Sequence, residues 1–454
     1  MMPLSSFIKK ISVNPAIFYA LSSRGWQLFA GPVTLFFIAH FFSANQQGFY
    51  YTFTSILLLQ IFFEMGLSYV LIQFVSHEFA YLRWTKWGAV SGGFKIKRFK
   101  QLVLKSCHWY LVVSLLFILF VMPAGWYFLG LKSTAEVNFS WRLPWALLVL
   151  ATAINLLLTP LLAIIEGSGK VQDIYRLRFA QTMLGTVISW IVILVGGGLY
   201  CAASIAIANA LLSMGWLFFK KPLLLRWVYS VTAFKINAQH SLFCWWTEVW
   251  PMQWRIAISW MSGYFINQIF VPILFLYQSP VVAGQMGMSL AISVMIIFTG
   301  QAWLSAKAPF MGRLIAEKNW PSLDKMFFRL VWQSSVMVLL CALGMVLVVC
   351  IGQHYVIFQR LLPPSQMALL AASALLSHWI NCIAQYLRSH KRDPFMVLSV
   401  LGAVLITGAA WYFGKSYSSY GIVASVFCIN LCYGLPTAIW FWVKYRRVWQ
   451  AKMV

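Results

Sequence analysis

Long apolar stretches alternate with short polar ones along almost the whole chain. The apolar stretches run for 17 to 29 residues, and a helix of that length crosses a hydrocarbon layer about 30 Å thick. Each polar connection is short, so consecutive helices reverse direction across the layer. The pattern predicts twelve transmembrane helices, at 15–42, 48–76, 107–129, 144–165, 179–195, 199–219, 249–277, 281–306, 326–352, 365–387, 395–413 and 420–443.

The positive charges separate by side. Lysine and arginine concentrate in every second connection and at both chain ends, which is typical of cytoplasmic loops. Apart from two arginines inside the apolar stretches, only Lys132, Arg142, Arg360 and Lys415 fall on the predicted outer side. This distribution predicts that both termini are cytoplasmic. No outer loop is long enough to form a domain.

A basic, aromatic stretch at 220–248 divides the pattern into two sets of six helices. We therefore predict an N-terminal lobe at 1–219, a cytoplasmic or interfacial linker at 220–248, and a C-terminal lobe at 249–454. The two lobes also share a weak repeat. Gly48 and Glu64 in the second stretch have the same spacing as Gly284 and Gly300 in the eighth, within similar apolar patterns. Repeated halves are common in transporters.

Composition narrows the class of protein. The chain is 61% hydrophobic and 9% charged, with a mean hydropathy of +0.78, whereas soluble chains carry about 25% charged residues. The net charge of +25 follows the topology, so we expect no nucleic-acid partner. The eight cysteines form no CxxC pair, and we expect neither a metal site nor a cofactor. Without a P-loop, HExxH, GxSxG or DxD motif, we expect no enzymatic activity.

Arg24 is the main anomaly in the hydrophobic pattern. It lies about ten residues into the first apolar stretch, roughly 14 Å deep. An arginine facing lipid at that depth costs roughly 3 kcal/mol on insertion scales. On a helix, Arg24 shares a face with Gln27 and Gly31. We therefore predict that Arg24 and Gln27 face a cavity and bind an anionic group, with an internal ion pair or a helix-end contact of Arg24 as the alternative.

Arg255 is the second arginine within a predicted span. It lies about one turn into the seventh stretch, on a stripe with Ser259, Ser262 and Asn267. Arginine stays charged and binds two phosphate oxygens at once, so Arg255 and Asn267 complete the predicted substrate site. In the alternative interpretation, Arg255 extends its guanidinium to the inner membrane surface.

Glu64 is the acidic residue placed deepest within a predicted span. It shares a helical face with Gln60 and Ser68. Three roles are open: an ion pair with Arg24, proton coupling of transport, or a local hydrogen bond.

Five segments resemble one known group of proteins, the multidrug/oligosaccharidyl-lipid/polysaccharide (MOP) exporter superfamily. Within it, the chain is most similar to the polysaccharide-biosynthesis, O-antigen-flippase-like branch. The segments are RGWQLFAGPVTLFFI (24–38), QQGFYYTF (46–53), FFEMGLS (62–68), EGSGKVQDIYRLR (166–178) and PVVAGQMGMSL (280–290). The resemblance implies an all-α, MATE/MOP-like fold of two six-helix lobes with alternating access.

The resemblance also implies a function. We expect a flippase in the bacterial inner membrane that moves an undecaprenyl-diphosphate-linked oligosaccharide from the cytoplasmic to the periplasmic leaflet. Its partners would be this lipid-linked oligosaccharide, membrane lipids and other polysaccharide-assembly proteins. Two alternatives remain open: a cation-coupled exporter of drugs or other small molecules, and a non-transporting scaffold for polysaccharide assembly.

Overall fold

A computed structural model describes residues 15–85, 90–91, 95–132, 139–233, 243–390 and 395–451. They are almost entirely helical, apart from an antiparallel pair of two-residue strands, β1 (Arg83–Trp84) and β2 (Val90–Ser91). The helices are α1 (Pro15–Phe41), α2 (Ala44–Leu57), α3 (Gln60–Glu64), α4 (Leu67–Phe79), α5 (Lys95–Gly130), α6 (Arg142–Gly167), α7 (Val171–Leu194), α8 (Tyr200–Lys220), α9 (Pro222–Ala233), α10 (Trp245–Glu248), α11 (Trp250–Asn267), α12 (Phe270–Tyr277), α13 (Pro280–Ala316), α14 (Trp320–Gly352), α15 (Pro364–Ser389), α16 (Phe395–Ile429) and α17 (Leu435–Ala451). A 3₁₀ turn (Phe358–Arg360) precedes α15, and a π-helical turn (Asn430–Gly434) joins α16 to α17.

The helices are those of a multi-pass membrane protein. In the described ranges, eight helices are long and apolar enough to cross a membrane, and two bent helix pairs raise the number to ten. One of the ten runs for 55 residues, about 80 Å at 1.5 Å per residue, which is enough for two crossings. Its backbone leaves the helical region at Tyr417 and Ser418, where those crossings meet. Together with the 27-residue α1, this agrees with twelve crossings and confirms the predicted all-α membrane fold.

Two predicted spans are broken rather than straight. The second bends by 42° between Glu64 and Leu67, and the seventh bends by 47° between α11 and α12. Met65 and Gly66 both have positive φ, 54° and 65°, which terminates α3. A β-carbon at Gly66 would lie 2.6 Å from Ile256 Cγ2, so this bend also needs glycine for space. Apolar periodicity predicted unbroken helices here because it carries no signal for a local change of backbone direction.

The chain forms two compact units. The first contains Met1–Phe41 and Ile56–Trp260, and the second contains Phe42–Ser55 and Met261–Val454, each over its described residues. These units group residues that pack together, whereas the lobes at 1–219 and 249–454 were predicted from the order of the helices along the chain. The lobes stay a prediction.

In the first unit, α6 packs against α4, α5, α7 and α8. Trp145 on α6 is fully buried, and its ring occupies the space beside Gly125, where a β-carbon would lie 2.2 Å from the indole. Its Nε1 donates to Met122 O at 3.1 Å. Asn155 Nδ2 donates to Ala206 O at 2.9 Å and so connects α6 to α8. Hydrogen-bonding side chains thus join these helices and fix how each one is rotated about its axis, which apolar contacts alone would not determine.

In the second unit, α2 packs on α13 at very short range. Gly48 meets the backbone of Pro280, and a β-carbon added at Gly284 would lie 2.8 Å from Gly48 N. Gln47 is 1% exposed and donates to Gly284 O at 3.0 Å and to Arg360 O at 2.9 Å. The two glycines that the sequence repeat matches are therefore in direct contact.

Candidate functional site

Arg24 lies on an exposed face of α1. The opposite face packs on α7: the Trp26 and Trp190 rings lie 5.9 Å apart, and Trp190 Nε1 donates to Thr34 Oγ1 at 2.9 Å. Because Arg24 and Trp26 are two residues apart, about 200° around the helix, the guanidinium points away from α7. Among the described residues it has no hydrogen-bond or ion-pair partner, and its side chain is exposed.

Gln27, the second predicted site residue on α1, is also exposed. Its amide Nε2 lies 3.5 Å from Ser23 Oγ, at the outer limit of a hydrogen bond. Arg24 and Gln27 therefore present one free cation and one weakly engaged amide on the same side of α1. This combination is suited to an anionic ligand.

Glu64 is half-buried at the end of α3, beside the break in the second span. Its Oε1 accepts a hydrogen bond from the fully buried Tyr110 hydroxyl at 3.0 Å. The ion pair with Arg24 is not formed, since neither residue takes part in a salt bridge with a described partner. Of the three roles left open by the sequence, the structure thus contains the local hydrogen bond.

The other acidic residues in the described ranges are already paired. Seven of the nine lie in the described ranges, and six of these seven form salt bridges with lysine or arginine. The pairs are Arg98 with Glu78 and Glu248, Arg178 with Glu166, Lys221 with Asp173, Arg313 with Glu317, and Arg446 with Asp324. Glu64 is the described acidic residue that lacks a cation.

Arg255 is exposed on α11, and its guanidinium carbon lies 5.5 Å from the centre of the Trp254 ring. It forms no ion pair with a described residue. Gln253, two positions earlier, is completely buried, and neither its amide oxygen nor its nitrogen has a hydrogen-bond partner. Gln253 was not among the predicted site residues, because a glutamine near a predicted membrane boundary gives no sign in the sequence that its side chain points inward.

The five predicted site residues do not all belong to one unit. Arg24, Gln27, Glu64 and Arg255 are part of the first unit, whereas Asn267 is part of the second. Asn267 is exposed, and its Nδ2 donates to Gly263 O at 2.9 Å.

Asn267 lines a small cavity in the second unit. Helices α11, α12, α13, α15 and α16 and the π-helical turn form its walls, which are mostly apolar. Its polar side chains are all neutral: Asn267, Ser293, Ser373, Ser377 and Asn430. Of these residues only Asn267 was predicted, because scattered serines and asparagines in apolar helices usually hydrogen-bond one helix to another.

The hydrogen bonds around the cavity leave several polar atoms available. Asn430 Nδ2 donates to Ser377 Oγ at 3.3 Å, and Ser293 Oγ donates to Ser289 O at 3.0 Å. Ser373 Oγ is buried and has no hydrogen-bond partner. No group of three or more His, Cys, Asp or Glu side chains suited to a metal occurs in the described part of the chain. The cavity therefore offers uncharged donors and acceptors.

Comparisons with known proteins agree on architecture. No protein-family model and no curated protein matches the chain. Solved structures match nearly all of it, and three of them illustrate the likeness. The first is an inward-facing multidrug resistance MATE family transporter of the MOP superfamily, with a TM-score of 0.63 and 14% identity over 96% of this chain and 95% of that one. The second is the lipid II flippase MurJ in an inward closed conformation, with a TM-score of 0.59 and 12% identity over 94% of this chain and 87% of that one. The third is a mutant of the Vibrio cholerae MATE transporter VcmN, with a TM-score of 0.56 and 14% identity over 96% of this chain and 95% of that one.

The chain shares its fold with these MATE and MurJ transporter structures. At 12–14% identity these likenesses concern the fold alone. They also include both a multidrug transporter and a lipid flippase, so a choice between those activities depends on the side chains described above.

Proposed function

We propose that the protein is a flippase of the bacterial inner membrane. Its cargo would be an oligosaccharide linked to undecaprenyl diphosphate, carried from the cytoplasmic to the periplasmic leaflet. Alternating access between the lobes at 1–219 and 249–454 would expose the site to each side in turn. Both chain ends would lie in the cytoplasm.

The observation that carries this proposal is the unpaired guanidinium of Arg24. The residue lies near the middle of a 27-residue apolar helix, it is exposed, and no described acidic residue neutralises it. Facing lipid there would cost roughly 3 kcal/mol. A water-filled cavity that receives an anion removes this cost, and a diphosphate is the anion that suits a planar guanidinium best.

Arg255 supports the same proposal from a second helix. It is exposed, and the Trp254 ring attracts the guanidinium through its π face. That contact uses none of the N–H groups in a conventional hydrogen bond, so they remain available to a ligand. Two unpaired arginines on two helices make this part of the first unit positive, because six of the seven described carboxylates already pair with another cation.

A leaflet-exchange assay tests the role of Arg24. Full-length protein is reconstituted into vesicles with fluorescently labelled undecaprenyl-diphosphate N-acetylglucosamine, and a membrane-impermeant quencher reports the lipid that remains inside. A charge-assisted hydrogen bond contributes about 2 kcal/mol. Arg24→Ala should therefore slow exchange about 30-fold, and Arg24→Lys should retain part of the rate as a point charge.

Arg313→Ala is the matched control. Arg313 is exposed and pairs with Glu317, the residue that follows the last turn of α13, so its loss should change neither folding nor exchange. If Arg24→Ala exchanges the lipid as fast as the wild type while the wild type is active, Arg24 does not hold the head group.

Glu64 favours a second candidate, a cation-coupled exporter of small molecules. It is half-buried, hydrogen-bonded to Tyr110 and without a cationic partner in the described chain. A carboxylate that carries protons across a membrane would have this partly buried, unpaired environment. Vesicles with an imposed proton gradient and a fluorescent cationic dye test this activity. Gradient-dependent dye accumulation that Glu64→Gln abolishes would support the exporter. Exchange of the diphosphate lipid that is unaffected by Glu64→Gln would argue against it.

A further inference from the structure

An apolar groove lies between α14, α15 and α17 in the second unit. Its volume is about 420 Å³, which falls within the range of roughly 300–1,000 Å³ that is usual for ligand pockets. All nine of its lining side chains are apolar or aromatic. They include Phe327, Phe328 and Val331 on α14 and Leu435, Ile439 and Trp442 on α17.

The groove is open along its outer side. Phe328 and Ile439 at its rim are 55% and 45% exposed, and the exposed apolar face continues along α14 with Leu343 and Leu347. An exposed apolar face on a membrane-spanning helix borders lipid. Water inside such a groove would lack the two to four polar partners that it needs. The occupant is therefore a hydrocarbon chain supplied by the bilayer.

The stripe of α17 that lines the groove ends in a cation. Leu435, Ile439, Trp442 and Arg446 follow one another at intervals of three or four residues, so they share one helical face. The guanidinium carbon of Arg446 lies 5.0 Å from the centre of the Trp442 ring. Its Nη2 donates to Asp324 on α14, which leaves other N–H groups of the five in a guanidinium. The Arg446 side chain is 35% exposed, so these donors can reach a ligand at the end of the groove.

This end of the groove is strongly positive. Asp324 holds three helix ends together, because it also accepts a hydrogen bond from the Tyr386 hydroxyl on α15 at 3.0 Å. Residues 320–329, 385–389 and 444–451 at these ends contain six cations and one acidic residue, a net charge of +5 (6 − 1). The cations are Lys325, Arg329, Arg388, Lys444, Arg446 and Arg447. Basic pockets between transmembrane helices suit the phosphate head groups of anionic lipids.

We propose that this groove binds an anionic glycerophospholipid, with one acyl chain between α14 and α17 and the phosphate against Arg446. A chain gains little by moving from the bilayer into an equally apolar groove, so the head group provides the selectivity. Glycerophospholipids are the most abundant chains around the protein, and mass action favours them over a scarce cargo lipid. The site belongs to the second unit alone and does not depend on the proposed function.

Photo-crosslinking to full-length protein in vesicles tests this site. The probes are phosphatidylglycerol, which carries a net negative charge, and phosphatidylcholine, which is neutral overall, each with a diazirine in one acyl chain. Mass spectrometry of the digested protein locates the attachment. Phe328, Val331 and Ile439 should be labelled at least about 5-fold more by phosphatidylglycerol, the factor expected for one nearby cation. Leu343 and Leu347, further along α14, are the internal control and should be labelled equally by both probes.

Two charge variants test the role of the head group. Arg446→Gln removes the charge and keeps an amide that can donate to Asp324, and it should lower the preference for phosphatidylglycerol about 5-fold. Lys444→Gln combined with Arg447→Gln leaves the ion pair of Arg446 in place and should lower the preference as well. Lys415→Gln is the matched control, because Lys415 is an exposed cation of the same unit that lies outside these helix ends; it should leave the preference unchanged.

Three results would overturn the proposal. Equal labelling of the groove by both probes in the wild type is the behaviour of ordinary boundary lipid. A preference that survives in both charge variants would exclude recognition of the head group. If a minor amount of undecaprenyl phosphate removes the groove labelling, the groove holds a polyprenyl chain instead, whereas labelling that persists supports the glycerophospholipid. None of these readouts depends on leaflet exchange, so the flippase proposal stands or falls by its own assay.

Discussion

Gly48→Ala should destabilise the second unit sharply, because α2 and α13 approach too closely there for any side chain. A β-carbon at position 48 would lie 1.9 Å from Pro280 O and 2.5 Å from Pro280 C. Both are backbone atoms that no rotamer change can move. To reach an ordinary contact of 3.4 Å, the helices must separate by about 1.5 Å (3.4 − 1.9).

The separation has a cost that follows from the neighbouring contacts. It pulls the buried Gln47 amide from Gly284 O and Arg360 O, now at 3.0 and 2.9 Å, which loses about 2 kcal/mol at about 1 kcal/mol per hydrogen bond. Overpacking costs a further 1–3 kcal/mol or so, and alanine returns up to about 1 kcal/mol through its higher helix propensity. We therefore expect a net loss of about 2–4 kcal/mol in the free energy of unfolding.

Unfolding in detergent by titration with sodium dodecyl sulfate measures that free energy, with tryptophan fluorescence as the signal. Gly344→Ala is the matched control: it also lies in a helix of the second unit, but a β-carbon there meets nothing within 4 Å. The control should be neutral or slightly stabilising. If Gly48→Ala is as stable as Gly344→Ala, the close approach of α2 and α13 described here is wrong.

Three further predictions concern other parts of the chain. Trp190→Phe removes the hydrogen bond to Thr34 and should cost about 1 kcal/mol; a double-mutant cycle with Thr34→Val should show coupling, and strict additivity would contradict the contact. Burial lowers the pKa of His390 below its ordinary 6.5 despite the opposing effect of a nearby carboxylate, so the neutral form stabilises the fold. That stability is complete above pH 6.5 and is lost as the pH falls through the lowered value. His390→Phe should remove this part of the acid sensitivity in thermal unfolding, and an unchanged pH profile would refute it. Cys244 is exposed, and hydrogen bonds with Thr247 hold the pKa of its thiol below the usual value. In a variant that keeps Cys244 as its sole cysteine, this thiol should react with an impermeant maleimide in inside-out vesicles only. In a variant whose sole cysteine is introduced by Lys415→Cys, the thiol should react in intact spheroplasts only. The opposite pattern would invert the proposed topology.

The membrane fold was predictable because burial in lipid imposes a length and a composition on every crossing helix. Two helix starts carry a signal that the predicted stretches at 281–306 and 326–352 did not use: Ser279 and Asn319 cap α13 and α14 just before a proline-containing first turn. The breaks were not predictable, since a bend such as that at Gly66 depends on a neighbour, Ile256, that is distant in sequence.

The candidate site was predictable only in its charged part. Arg24 was identifiable because a cation in an apolar stretch is costly wherever the helix packs. The partner of Glu64 was not identifiable: the sequence suggested Arg24, but the hydroxyl within reach belongs to Tyr110, 46 residues further along the chain.

The sequence by itself determined how many helices cross the membrane, where most of the charge lies and which cation is anomalous, because these depend on the free energy of moving each segment out of water. Tertiary structure decided which polar groups meet. Ser373 and Asn430 are ordinary residues in apolar helices, and only the packing of α15 against the π-helical turn makes them walls of one cavity. Transfer energies add up residue by residue along a chain, whereas a binding site depends on distances between helices that are far apart in sequence.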